Sequence, residues 1–201
     1  MPAPRKRTSE ADPCLRIIGG NFRGRKLSYS GDPRTRPMKD RVREAVFNLV
    51  GPAVRGLHAI DLFAGTGALA LEALSRGAAR ATLIERHHPT AAVIRQNIAE
   101  LDVAAVTELV VGDTFHWARR LPEPGATPWL VFCSPPYALY HDRPEQMLTL
   151  IAALRDAAPA GSMLVVEADT SFDMDRLPAA DWDVRRYGIA QVGLARLAGA
   201  S

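Results

Sequence analysis

A chain of 201 residues, 47% apolar and 23% charged, is long enough for one α/β domain with a sizeable core, and it holds no apolar run that approaches a membrane span. Its two cysteines, Cys14 and Cys133, give neither a disulfide framework nor a metal-ligand spacing, which excludes a stapled secreted scaffold and points to reduced thiols in the cytoplasm. The net charge of +3 hides an asymmetry: residues 1–43 hold 12 Lys+Arg against 4 Asp+Glu, and residues 44–201 are net −5.

In chain order, residues 1–14 form a polar, basic tail with no apolar segment behind it, so it reads as disordered and not as a secretory signal. Leu15 to Tyr29 reads as a β-hairpin, Leu15–Ile18 and Arg25–Tyr29 joined through Gly19, Gly20 and Gly24. Ser30 to Pro37 is a loop with Arg34 and Arg36. Lys39 to Val50 has helical periodicity, Val42, Ala45, Val46, Leu49 and Val50 on one side, and Gly51-Pro52 stops it. Strands and helices then alternate, which implies a parallel sheet. The strand ending at Asp61 leads to a helix from about Ala68 to Arg76. The strand ending at Glu85 leads to a helix through Val93, Ile94, Ile98 and Leu101. A third strand, Glu108–Val111, precedes Gly112-Asp113 and a short helix with Phe115 and Trp117. After a loop at 122–128, the fourth strand is Trp129–Cys133. A helix covers about Arg143 to Ala157, the fifth strand is Met163–Glu167, and Trp182–Tyr187 with Ala190–Leu197 reads as an antiparallel edge pair.

The chain is organised around His58 to Ala70: a buried strand, a glycine turn and a helix start. Gly65 and Gly67 permit positive φ and close ligand approach, and a helix N-terminus at a parallel-strand end receives a charged small molecule. Gly65-x-Gly67-x-x-Ala70, with Glu85 twenty residues after Gly65, also fits a dinucleotide site, and so an NAD-dependent oxidoreductase. Two features oppose that reading. Asp61 sits at the strand end, where a pyrophosphate gains nothing from negative charge and a cationic cofactor does. Ser134-Pro135-Pro136-Tyr137 ends the fourth strand.

The pair of motifs resembles the class I methyltransferases that use S-adenosylmethionine. The resemblance implies a Rossmann-like, seven-stranded, mostly parallel sheet with helices on both faces. It implies that Asp61, Phe63, Ala64, Gly65 and Gly67 form the turn for the methionine part. Glu85, followed by Arg86, is then placed at the ribose hydroxyls, and Asp113 and Thr114 at the adenine. Ser134, Pro135, Pro136 and Tyr137 resemble the Asp/Asn/Ser-Pro-Pro-aromatic motif of enzymes that methylate exocyclic amines of nucleobases. Such an amine is a poor nucleophile, because its lone pair is delocalised. Acceptors from the Pro135 carbonyl and the Ser134 oxygen favour its pyramidal form, and Tyr137 can stack on the base. Neither the five histidines nor any other residues suggest a metal site, and Trp117, Trp129 and Trp182 read as core.

Arg16-Ile17-Ile18-Gly19-Gly20, Arg23-Gly24-Arg25-Lys26-Leu27, Arg36-Pro37 and Asp40-Arg41-Val42-Arg43-Glu44, with Phe47-Asn48, are similar to the N-terminal signature of the bacterial 16S ribosomal RNA guanine-N2 methyltransferases. Leu62 to Leu69 and Glu72 to Gly77 match that family's cofactor segment. The similarity spans about residues 16 to 197. The family usually has Asp or Asn where this chain has Ser134. The resemblance implies methylation of a guanine N2 amine, with ribosomal RNA or the small subunit as partner. An adenine-N6 DNA or other nucleic-acid methyltransferase and a non-catalytic RNA-binding relative are the alternatives. The expected organisation is a tail at 1–14, an RNA-binding hairpin extension at 15–36 and a methyltransferase domain at 37–201, as a monomer without membrane attachment. Arg16, Arg23, Arg25, Lys26, Arg34, Arg36 and Arg41 are the candidate phosphate contacts. Because the cofactor site is built from residue 58 onward, deletion of residues 1–36 is expected to leave the core intact and to abolish RNA binding.

Overall fold

Four strands of the computed structural model carry the apolar runs that make a sheet covered on both faces. The structure describes residues 15–29, 31, 38–121 and 127–198. The tail at 1–14, Arg34 and Arg36, and most of the loop at 122–128 lie outside the described residues. The elements in order are α1 (Asp40–Val50), β1 (His58–Asp61), α2 (Ala68–Ser75), β2 (Arg80–Glu85), α3 (His88–Glu100), β3 (Thr107–Val111), α4 (Thr114–Trp117), β4 (Trp129–Cys133), α5 (Ala138–Asp142), α6 (Pro144–Ala157), β5 (Met163–Asp169), β6 (Trp182–Tyr187) and β7 (Ala190–Arg196).

They form one seven-stranded sheet in the order β3-β2-β1-β4-β5-β7-β6. Strands β1 to β5 pair in parallel, and β7 runs antiparallel between β5 and β6. Every residue of β1 and β4 is buried, whereas β3 and β6, at the two edges, are partly exposed. The chain leaves β1 towards β2 and β3, then returns to β4 on β1's other side. That reversal opens a crevice at the carboxyl ends of β1 and β4, where ligands of open α/β sheets bind. The expected seven-stranded, mostly parallel Rossmann-like fold is present.

Helices cover both faces. Val42, Val46, Phe47 and Val50 of α1, with α2 and α3, pack on one face through Leu83, Leu130, Phe132 and Val165. Met147, Leu150, Ile151 and Leu154 of α6 pack on the other through Ile60, Val131, Leu164 and Val166. Each such buried aliphatic contributes about 1.5–3 kcal/mol from burial.

Two sequence expectations need correction. The segment 15–29 is a hairpin with one bridge, Arg16 to Lys26, and no ladder of strand length. Leu15 and Ile17 pair across it with Leu27 and Arg25, but the ladder goes no further because the turn's amides are used by the core. The Ile18 and Gly19 amides both donate to the Glu72 carboxylate at 2.7 Å, and Phe22 N donates to Ser75 Oγ at 2.9 Å. Gly20, at φ 74°, approaches so closely that a Cβ there would stand 1.9 Å from the Ser75 carbonyl oxygen. Leu15, Ile17 and Leu27 are buried in the same cluster as α1, α2 and α3. The segment is therefore part of the core, and a deletion through residue 36 removes core packing together with any RNA contact. Helix α5 is the second correction: it fills residues 138–142, ahead of the expected helix.

Candidate active site

Strands β1 to β5 end on one side of the sheet, and the loops leaving them enclose a cavity of about 830 Å³. That is room for a cofactor and part of a second ligand. Phe63, Gly65, Glu85, Arg86, Asp113, Thr114 and the whole Ser134–Tyr137 turn line it. The predicted cofactor and transfer residues, from four separate strand ends, are thus brought to one space. Asp61, Ala64 and Gly67 lie behind its wall.

The glycine turn is built by its hydrogen bonds. Ala64 N donates to the Ile84 carbonyl at 2.9 Å and Gly67 N to the Ala64 carbonyl at 2.6 Å. Gly65 and Gly67 take φ 52° and 76°. A Cβ at Gly67 would meet Leu83 Cδ2 at 3.1 Å, so the turn needs glycine there for both space and conformation. Glu85 is held from two sides: Gly65 N donates to its Oε2 at 2.8 Å and His87 N to its Oε1 at 2.7 Å. Each oxygen keeps a further lone pair for a ligand hydroxyl.

Asp61 is buried beneath this turn, and neither carboxyl oxygen has a hydrogen-bond partner among the described residues. Burial pushes its pKa up from 3.8 to about 7, and the Glu85 charge adds to the rise; the Ala70 and Phe63 backbone N–H groups nearby, which make no hydrogen bond of normal geometry to it, oppose the rise only partly. An acid whose folded pKa lies above its unfolded value destabilises the fold once ionised. Asp61 is therefore expected to cost the free protein stability as pH rises from about 4 to 7, while buried His58, its pKa lowered, works in the opposite sense from about 4 to 6.5. Denaturant melts across that range should show Asp61→Asn gaining stability relative to the wild type as pH rises. A difference between the two proteins that stays constant with pH would assign the pH dependence to other groups.

Asp113 caps α4, its Oδ1 accepting from His116 N at 3.1 Å, and Thr114 Oγ1 donates to the Leu62 carbonyl. Phe63 and Phe115 meet edge to face across the cavity wall with centroids 6.2 Å apart. Beyond β4, the register that pairs Cys133 with Val166 sets Ser134 beside Glu167 of β5. Ser134 Oγ donates to Glu167 Oε2, and Tyr137 Oη donates to Glu167 Oε1 at 2.8 Å.

Glu167 also lines the cavity and went unrecognised in the sequence, as did Phe115, Tyr187 and the exposed cations Lys39 and Arg143. Among the described residues no group of three or more acidic, His or Cys side chains is placed to hold a metal ion. His58 is buried against Thr82 Oγ1 at 2.8 Å, its pKa lowered to about 4 by burial first and by Arg80 second. Trp129 is core, and Trp117 and Trp182 pack half-buried against it.

The candidate RNA contacts are more scattered. Arg16, Arg23, Arg25, Lys26 and Arg41 are exposed. The turn that carries Arg23 lies against Ser75, at the end of α2 opposite the glycine turn. Arg25 Nη2 donates to the Glu100 carbonyl, and Arg16 pairs with Asp40 at 3.4 Å. Lys39 and Arg143 stand at the cavity itself.

The family model described as "Conserved hypothetical protein 95" matches residues 15–196. The Ribosomal RNA small subunit methyltransferase D of Escherichia coli K12 is 36% identical over 179 residues, 88% of this chain and 85% of that protein. The chain belongs to the ribosomal RNA small subunit methyltransferase D family. Among solved structures, a putative methyltransferase from Escherichia coli, yhhF, superposes with a TM-score of 0.77 at 31% identity over 93% of this chain and 99% of that one. An RNA methyltransferase from Salinibacter ruber, solved with S-adenosyl-L-homocysteine, shares the fold with a TM-score of 0.61 at 21% identity, over 83% and 96% of the two chains.

The class I methyltransferases, which include this family, take S-adenosylmethionine, and the residues present fit it. A buried carboxyl without a hydrogen bond suits a cationic ligand, the doubly anchored Glu85 suits a diol, and the Phe63–Phe115 corner suits a purine.

Proposed function

We propose that the protein methylates the exocyclic N2 amine of a guanine in small-subunit (16S) ribosomal RNA, with S-adenosylmethionine as donor. The observation that carries the reading is the placement of the Ser134–Tyr137 turn in the same cavity as Glu85 and the glycine turn. The names of the relatives support ribosomal RNA as the substrate. When bound, S-adenosylmethionine supplies an electrophilic methyl group on a sulfonium.

The chain's own residues do the rest. Glu85 accepts from the ribose hydroxyls, with Gly65 and His87 holding its carboxylate in place. Asp61 balances the cation from below the turn. Phe63 and Phe115 flank the adenine, and the Thr114 amide and Asp113 meet its edge. Tyr137 stacks on the target base, while the Pro135 carbonyl and Ser134 Oγ accept from the target amine. Lys39 and Arg143 meet phosphates beside the flipped nucleotide. The cytoplasm, where thiols such as buried Cys133 stay reduced, is the expected compartment.

The decisive experiment is methyl transfer from labelled S-adenosylmethionine to protein-free small-subunit RNA and to small subunits lacking the modification, followed by digestion to nucleosides. Label in N2-methylguanosine is expected. Label in N6-methyladenosine would favour the adenine reading, and no label in either substrate would overturn the proposal.

Glu85→Ala is expected to weaken S-adenosylmethionine binding by about 1.5–3 kcal/mol, roughly 10- to 150-fold, because two hydroxyls lose a charged partner. Calorimetry that finds unchanged affinity in a folded variant would remove Glu85 from the site. Binding of NAD in place of S-adenosylmethionine would overturn the cofactor assignment.

A further inference from the structure

The turn after β4 has an unusual polar balance. Pro135 and Pro136 have no N–H. The hydroxyl hydrogens of Ser134 and Tyr137 both go to one carboxylate, that of Glu167, which is 7% exposed. Each hydroxyl has one hydrogen to donate. Once those two are committed to Glu167, the Ser134 oxygen and the Pro135 carbonyl offer the cavity lone pairs only. A surface of acceptors repels a base edge that presents a carbonyl and favours one that presents N–H groups.

Resting on the methyl-transfer reading above, we propose that Glu167 is the positioning carboxylate of the transfer site: it turns Ser134 into an acceptor facing the target amine, anchors Tyr137 by its hydroxyl, and receives through Ser134 the proton that the amine sheds. The amine nitrogen forms its bond to the methyl carbon while the pair of the broken carbon–sulfur bond stays on sulfur. The nitrogen, now positive, passes a proton to Ser134 Oγ as the Ser134 hydroxyl proton passes to Glu167 Oε2. Ser134 is restored, Glu167 becomes the neutral acid, and it returns to the carboxylate by losing the proton to water. A carboxylate two hydrogen bonds removed from the nitrogen, reached through a hydroxyl, does here what a short serine side chain cannot do alone. Glu167 comes from the neighbouring strand, so the device depends on the β4–β5 register and not on residues adjacent in sequence.

The test uses the full chain with small subunits lacking the modification, under single-turnover conditions. Glu167→Gln can donate from its amide to Ser134 Oγ, which would push the serine hydrogen into the site. It is expected to slow methyl transfer by about 100-fold, at the low end for a positioned proton acceptor. KM for the subunit, affinity for S-adenosylhomocysteine by calorimetry and the melting temperature should change little. A purely structural role would move melting and cofactor affinity as well. Ser134→Ala should also slow transfer, and in that background Glu167→Gln should cost no more than a further two- to threefold, because the two residues act as a unit. Should the Gln variant fail to fold, Glu167→Asp keeps the charge and withdraws it from both hydroxyls by one methylene; about a tenfold loss of rate is expected. A folded Glu167 variant with the wild-type rate, or multiplied losses in the double variant, would overturn the inference. A wild-type protein that transfers no methyl group to subunits or RNA would instead overturn the functional reading.

Discussion

Glu72→Ala is expected to destabilise the protein by about 3–5 kcal/mol, the range for removing one partner of a buried ion pair. Glu72 is fully buried in α2, a helix whose eight residues are all buried. Its carboxylate takes the Ile18 and Gly19 amides at 2.7 Å, Arg76 Nε at 2.8 Å and the charge of Arg43 at 3.8 Å. Arg43 is itself fully buried, and its Nε and Nη1 have no hydrogen-bond partner among the described residues. Burial lowers the Arg43 pKa, and only Asp40 and Glu72 oppose that. The alanine variant would leave this guanidinium with the Asp40 carboxylate and the Arg16 carbonyl only, among the described residues, and would leave two backbone amides without acceptors. A net stability of about 5–15 kcal/mol is typical of a domain, so the loss is a large fraction of the whole. Equilibrium denaturation of both proteins measures it. A loss below about 1 kcal/mol would mean that the network relaxes onto water, and that segment 15–29 is held by Leu15, Ile17 and Leu27 alone.

The same residue shows where sequence reading succeeds and where it stops. β1, β2, β4 and β5 were legible because a strand covered on both faces must be apolar throughout, and the glycine turn because positive φ leaves few choices of residue. Glu85 and Asp113 were legible as carboxylates that end successive parallel strands. Glu72 carries a local signal: a carboxylate inside a helix otherwise made of Ala, Leu and Ser needs buried donors. Those donors are backbone amides 53 and 54 residues away, which no local pattern announces. Glu167 was hidden for a related reason. Within β5 it looks like the polar end of a strand, and only the pairing of Cys133 with Val166 places it at Ser134. Helix α5 has five residues, too few to display a helical period. Lys39 and Arg143 are single cations far apart in the chain, joined only by the cavity they share.

RNA affinity should fall by about 100-fold at roughly 0.1 M salt when Arg23, Arg25 and Lys26 are all changed to Ala. The loss is electrostatic. Each phosphate contact contributes about 0.7–0.9 to the slope of log K against log salt, so three contacts account for a slope near −2 to −3, and that term fades towards 1 M salt. Substitution replaces the deletion of residues 1–36 as the test, because the segment's apolar side is core while these three side chains are exposed. Removing them leaves Leu15, Ile17, Leu27 and the Glu72 network in place. Lys39 and Arg143 provide the contrast. They stand at the cavity, so Lys39→Ala with Arg143→Ala should lower the slope by about 1.5 and also slow single-turnover transfer, since they hold the nucleotide where the chemistry occurs. The hairpin variant, saturated with RNA, should transfer at the wild-type rate, because its turn lies at the far end of α2. Filter binding over a salt series, with S-adenosylhomocysteine affinity as the folding control, separates the two sets. An unchanged slope in the hairpin variant would confine the RNA surface to the cavity mouth and leave residues 15–29 as a structural cover for α2 and α3.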